Sequence, residues 1–101
     1  MVSMISSRAA ITHLTSDMSI EMQQTSIDYA TMGLIKYKQN YGDMAEYIKN
    51  EFEHKYGKHW CCIVYDSHSG FGSYFTKERY HYIHFSISNV NFIIFKQVGK
   101  K

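Results

Sequence analysis

A chain of 101 residues, 45% hydrophobic and 20% charged, has the size and balance of one folded domain with a modest core, and disorder is excluded on composition. A net charge of +2 gives no strong pull toward nucleic acid or an acidic membrane surface. No apolar run near Met1 is long enough for a secretory leader or a membrane span, and the adjacent pair Cys61 and Cys62 makes no disulfide framework, so the expected setting is reducing and cytosolic.

Residues 1–9 read as a flexible leader and 10–101 as one domain, opening on a short strand from Ala10 to Leu14. Ser19 is placed to cap a helix, with Glu21 in the first turn where the helix dipole favours a negative charge. Met22, Ser26, Tyr29, Ala30, Gly33 and Tyr37 then recur at helical spacing, which predicts a helix to about Tyr37. The polar run from Lys38 to Asp43 breaks it. A second helix is expected to carry Met44, Ala45, Ile48, Phe52 and Tyr56 on its buried stripe, with Glu46, Lys49, Asn50 and Glu53 toward water and Gly57 as its stop.

Beyond Gly57 the period changes to alternation. Trp60 to Tyr65, Phe71 to Lys77, Arg79 to Ile87 and Val90 to Lys96 read as four strands, and Ser88-Asn89 supplies a tight turn that pairs the last two antiparallel. Val90, Phe92 and Ile94 share one face of the final strand, while Ile93 and Phe95 share the other. A sheet wet on one face would alternate more cleanly. Each large apolar side chain left in water forfeits about 1.5–3 kcal/mol. Two helices cover one face of such a sheet, so the pattern predicts a symmetric partner packing sheet on sheet over the other, ahead of the alternative of a monomer with one helix on each face.

Phe71 to Thr76 is an aromatic and hydroxyl-rich strand hung on the loose loop Asp66 to Gly70. Such a strand is suited to leave its own subunit, and its backbone edge to accept an extended peptide. That is the physics of a binding protein. Competing chemistries are weaker. Cys61 and Cys62 point to opposite faces, and no second ligand pair accompanies His59 and Cys61, so scattered structural histidines are favoured over a metal site. A thiol pair of Cys61 with His81 or His84 would sit in an apolar run where cysteine is ordinarily inert. Tyr80 and Tyr82 lack the basic stripe that a nucleic-acid stacking platform needs.

Several segments together carry a resemblance. They are Asp17-Met18-Ser19 with Glu21-Met22-Gln23-Gln24, then Ile48-Lys49, Glu51-Phe52 and Lys55-Tyr56, then Trp60 with Cys62-Ile63-Val64. Phe71-Gly72-Ser73-Tyr74 with Thr76 and Glu78, and His81, Ile83, Phe85 and Phe95-Lys96, complete the set. In this order, from about Ala10 to Lys96, the chain resembles the cytoplasmic dynein light chains of the eight-kilodalton class. The resemblance implies an α+β fold, two helices on an antiparallel sheet, in a strand-swapped homodimer with a sheet-on-sheet interface. It implies clients, the dynein intermediate chain among them, held as added strands in two symmetric grooves, with no catalysis, metal or cofactor and a cytoplasmic, cytoskeletal setting.

Carried over residue by residue, the resemblance assigns the peptide strand to Phe71, Gly72, Ser73, Tyr74, Phe75, Thr76 and Lys77. Tyr82, His84 and Ser86 would line the groove, Tyr41 and Gly42 would lie at its far end, and Trp60, Cys61, Tyr74 and Thr76 would stand near the dimer seam. The departures gather in the groove. Tyr41 and Gly42 stand where the family has Glu-Lys, His84 and Ser86 where it has tyrosines, Asn91 where it has alanine, and Lys77 where it has histidine. Cys61 replaces a histidine beside the interface. The expected groove is more polar and less aromatic than the family's, with a client motif of its own. A hub that has left dynein, or a small metal- or thiol-dependent enzyme, are the alternatives.

Overall fold

Ser19 caps the first helix as its position suggests: its hydroxyl accepts from the Met22 amide at 3.2 Å. The computed structural model describes residues 11–67 and 77–97. In chain order these form β1 (Ile11–Ser16), α1 (Ile20–Tyr37), α2 (Tyr41–Tyr56), β2 (Trp60–Asp66), β3 (Lys77–Ile87) and β4 (Val90–Gln97). The leader at 1–9 and the strand expected over Phe71 to Thr76 lie outside the described residues. Lys77, expected to end that strand, instead begins β3 opposite Gln97.

The sheet is antiparallel, in the order β1-β3-β4-β2. Ser88, at φ 56°, and Asn89 make the two-residue connection, closed by the pair Ile87 and Val90. β1 runs two residues further than expected and contains a bulge. Two steps along β3, from Ser86 to His84, are matched by three along β1, from Thr12 to Thr15. His13 sits there at φ 55°.

Both helices pack on one face. Ser26, Ala30, Thr31 and Gly33 are the buried positions of α1, and Met44, Ile48 and Phe52 those of α2. They meet Trp60, Ile83, Phe85, Ile87, Phe92 and Ile94, with Met18 closing the end of the core. The Phe85 and Phe92 rings stack at 5.3 Å, and Phe52 lies 4.7 Å from Trp60. Gly57, at φ 86°, ends α2 with its amide on the Glu53 carbonyl.

Three expectations need correction. The break between the helices is shorter, because the Asn40 side chain accepts from the Asp43 amide at 3.1 Å and starts α2 at Tyr41. Glu53 is not merely solvated: it accepts from the Trp60 amide at 3.0 Å and from Lys49 at 2.9 Å, and these contacts, the Trp60 amide foremost, hold its carboxyl below the ordinary range. Ile93 and Phe95, on the face away from the helices, are each only 4% exposed within one chain. Their neighbours across the sheet are Ile63 and His84 for Ile93, and Cys61 and Tyr82 for Phe95.

Gly33 is where α1 approaches α2 most closely, since a Cβ there would stand 2.8 Å from Met44 Cγ. Met44 is fully buried and has no room to yield. Overpacking of this kind costs about 1–3 kcal/mol, against about 1 kcal/mol gained from helix propensity. Gly33→Ala is therefore expected to lower the urea midpoint without changing the slope of the transition, the reverse of an exposed Gly→Ala change.

Candidate functional site: the sheet face away from the helices

Alternation along β2, β3 and β4 turns Tyr65, Tyr82, His84, Ser86 and Asn91 to the face the helices leave uncovered. Two hydrogen-bonded clusters cross it. The Tyr65 hydroxyl and His84 Nε2 are 3.1 Å apart. Ser86 donates to Asn91 Oδ1, and Asn91 Nδ2 donates to Ser67 Oγ at 2.9 Å and toward the Tyr65 carbonyl at 3.4 Å. Ser86 and Asn91 are buried, so their partners answer the cost of taking polar groups from water.

The backbone of Tyr82 anchors the entry to α1. Asp17 Oδ1 accepts from the Tyr82 amide at 3.0 Å, the Asp17 amide donates to the Tyr82 carbonyl at 3.1 Å, and Ser16 Oγ donates to that carbonyl at 2.9 Å. Burial, then Tyr65 and Asp17, push the Tyr82 phenol up. Burial first, and then the charge of His13, push the His84 imidazole down.

The predicted groove residues therefore divide. Tyr82, His84 and Ser86 share the uncovered face, where Asn91 joins them. Tyr41 and Gly42 stand in the first turn of α2, on the opposite side of the sheet. Trp60 is turned into the helix-side core at 1% exposure, its indole between Phe52 and the edge of His81, so its side chain is not at a seam on the uncovered face. Cys61, its neighbour, is half-buried on that face. Phe71, Gly72, Ser73, Tyr74, Phe75 and Thr76 lie outside the described residues. Sequence reasoning missed Tyr65, Ser67 and the Asp17 clasp. Strand parity could have supplied Tyr65, but nothing in the pattern signals the hydrogen bonds.

Burial pushes both cysteine thiols up, away from what a nucleophile needs. Among the described residues no three metal-ligating side chains converge, and no helix is long and apolar enough to cross a membrane. A concavity of about 440 Å³ lies on the helical layer, among Tyr37, Asp43, Glu46, Tyr47, Asn50 and Glu51. It holds none of the residues predicted for the peptide groove or the dimer seam, and Lys36 already stands 5.1 Å from the Tyr47 ring.

The sequence model of dynein light chain type 1 matches residues 10–97. The fold is similar to crystal structures of the dynein light chain-like domain of the Fasciola hepatica calcium binding protein FhCaBP2. A mercury derivative superposes with a TM-score of 0.75 at 18% identity, covering 89% of this chain and 94% of that one. The native form gives 0.75 at 19% identity, covering 87% and 91%.

His84 is lowered in the folded chain, so its effect on stability has a definite sign. Above the unfolded value of about 6.5 both states are neutral. As the pH falls through that value the unfolded chain takes a proton that the folded chain refuses, and stability is lost until the folded value is passed. Urea titrations at about pH 7.5 and 5.5 should show wild type losing more stability on acidification than His84→Gln.

Proposed function

As the chain belongs to the dynein light chain type 1 family, we propose that it is a non-catalytic homodimeric adaptor holding short extended segments of other proteins by β-strand addition in two symmetric grooves. In this reading it is a dynein motor subunit and a dimerisation hub in the cytoplasm and on the cytoskeleton. The dynein intermediate chain is among its clients.

One observation carries the reading. The helices cover a single face, and among the described residues the sheet ends on β2, whose outer backbone row is an edge. A strand donated from a second chain would complete that edge, and the client would add to the donated strand in turn. Phe71 to Thr76 is the segment assigned to that crossing. Gly72, lacking a Cβ, suits a second backbone passing close by. Tyr82, His84 and Ser86 would line the groove. Two grooves in one dimer give a dimeric client an avidity gain of about 10²–10⁴ when its geometry meets both.

A hub without dynein is the second reading, favoured by the first turn of α2. Tyr41 and Gly42 stand there, so no side-chain carboxylate is offered at the positions where the family has Glu-Lys. The helix amides remain as donors. A Thr-Gln-Thr peptide should accordingly bind more weakly here than to a family member with the Glu-Lys pair, as measured by fluorescence anisotropy. Equal affinity would remove the argument, and a pull-down of the intermediate chain separates the two readings.

Sedimentation equilibrium tests the dimer. The expected result is a dimer whose dissociation changes little between neutral and mildly acid pH. Cys61, standing where the family has an interface histidine, has its thiol pushed upward and stays neutral throughout that range. A monomer at working concentrations that takes up no peptide would sink the proposal.

A further inference from the structure

On the uncovered face the polar side chains do not all have the same freedom. Ser86 directs its hydroxyl proton to Asn91, and both Asn91 amide protons go to β2 and the residue after it. These two side chains are committed to one another and to the sheet. His84 differs. Its Nε2 is tied to Tyr65, while Nδ1 has no hydrogen-bond partner among the described residues, and the ring is half-buried. An imidazole nitrogen held in this way is able to take a partner from outside.

The charges around it are uneven. From β2 it faces Tyr65, with Cys61 further along; from β3, Tyr82; from β1, His13 at the bulge. β4 contributes Asn91, Ile93 and Phe95, none of which ionises in the neutral range. The Asp17 carboxylate is clasped to the Tyr82 amide. Glu78 lies on β3 six residues from His84, about 20 Å along the strand, and the other described acids lie on the helices or, for Asp66, at a β2 position in register with the helix-facing Val90. Around His84 itself, the side chains described therefore bring the charge of a second histidine and no uncommitted carboxylate.

We propose that this face selects extended segments that set an Asp or Glu carboxylate against His84 Nδ1. The proposal rests on the strand-addition reading and names the client chemistry of that groove. A carboxylate there accepts from Nδ1, while Nε2, once protonated, donates to the Tyr65 oxygen. The imidazolium is then hydrogen-bonded at both nitrogens and its charge is met by the ligand. Without a ligand, burial and His13 favour the neutral ring. Binding of an acidic segment therefore takes up a proton, and by linkage its affinity rises as the pH falls from about 8 toward 6.

The test is a peptide array on the full chain in which every ten-residue frame is present as twins, one with Asp or Glu and one with Asn or Gln. The tightest pairs are then followed by anisotropy. The carboxylate twin is expected to bind about tenfold tighter near pH 6. The gap should narrow by pH 8 and collapse in His84→Gln. Because that variant could also disturb the sheet, calorimetry on wild type in two buffers of different ionisation enthalpy gives a second readout, with net proton uptake expected for the acidic twin alone. Peptides that bind without a carboxylate preference, or with one that survives in His84→Gln and brings no proton uptake, overturn this inference and leave strand addition standing. If neither twin of any frame binds, strand addition and this inference fall together.

Discussion

Two helices span a four-stranded sheet on one side only, and the rest of the molecule arranges itself around that constraint. Phe85, Phe92 and Ile94 go to the helices, where Phe52, Ile48 and Met44 complete the core. The far side of the central strands cannot be apolar throughout without inviting indiscriminate association. The chain resolves this by composition along the strands. Ile93 and Phe95 lie at the centre, largely buried, and the positions beside them carry Tyr82, His84, Ser86 and Asn91. Once the polar groups are hydrogen-bonded to one another, few of them on this face are left to be met by water alone.

Much of this was legible in the sequence, for reasons that are local. Ser19, Gly57 and Ser88-Asn89 act through their own backbone or the next turn, and all three ended elements where expected. Strand parity placed His84 and Ser86 together and set them apart from Ile83 and Phe85. The failures involve partners distant in sequence. Glu53 reads as a solvated helix residue until β2 brings the Trp60 amide to it. The bulge at His13 follows from the register that β3 imposes on β1, and no breaker residue announces it. Asn40 was hidden in a polar run in which several residues could equally have capped a helix. The internal pairing of Ser86 with Asn91 needed the hairpin register to become visible.

The similarity to the Fasciola hepatica domain shows how little of the sequence this architecture demands. At 18–19% identity the two chains keep one fold. What must be kept is the alternation, the helical stripes and the turn chemistry, because these decide which face meets the helices. The identities of side chains on the uncovered face are not needed for that purpose. They are the positions at which binding chemistry can change while the core stays as it is, and here they are His84, Ser86 and Asn91.

The division of the site residues has a thermodynamic consequence. Tyr41 and Gly42 lie on the helical side of the sheet and Tyr82, His84 and Ser86 on the other, so one chain does not bring the two groups to a common groove. In the proposed dimer the first group belongs to one chain and the strand running beside it to the other. A ligand that touches both sets binds the dimer better than the monomer. It must then tighten the dimer by the same factor by which dimerisation tightens its own binding. Such a groove would work by holding two chains together, and its contacts with the client and with the partner would be parts of one equilibrium.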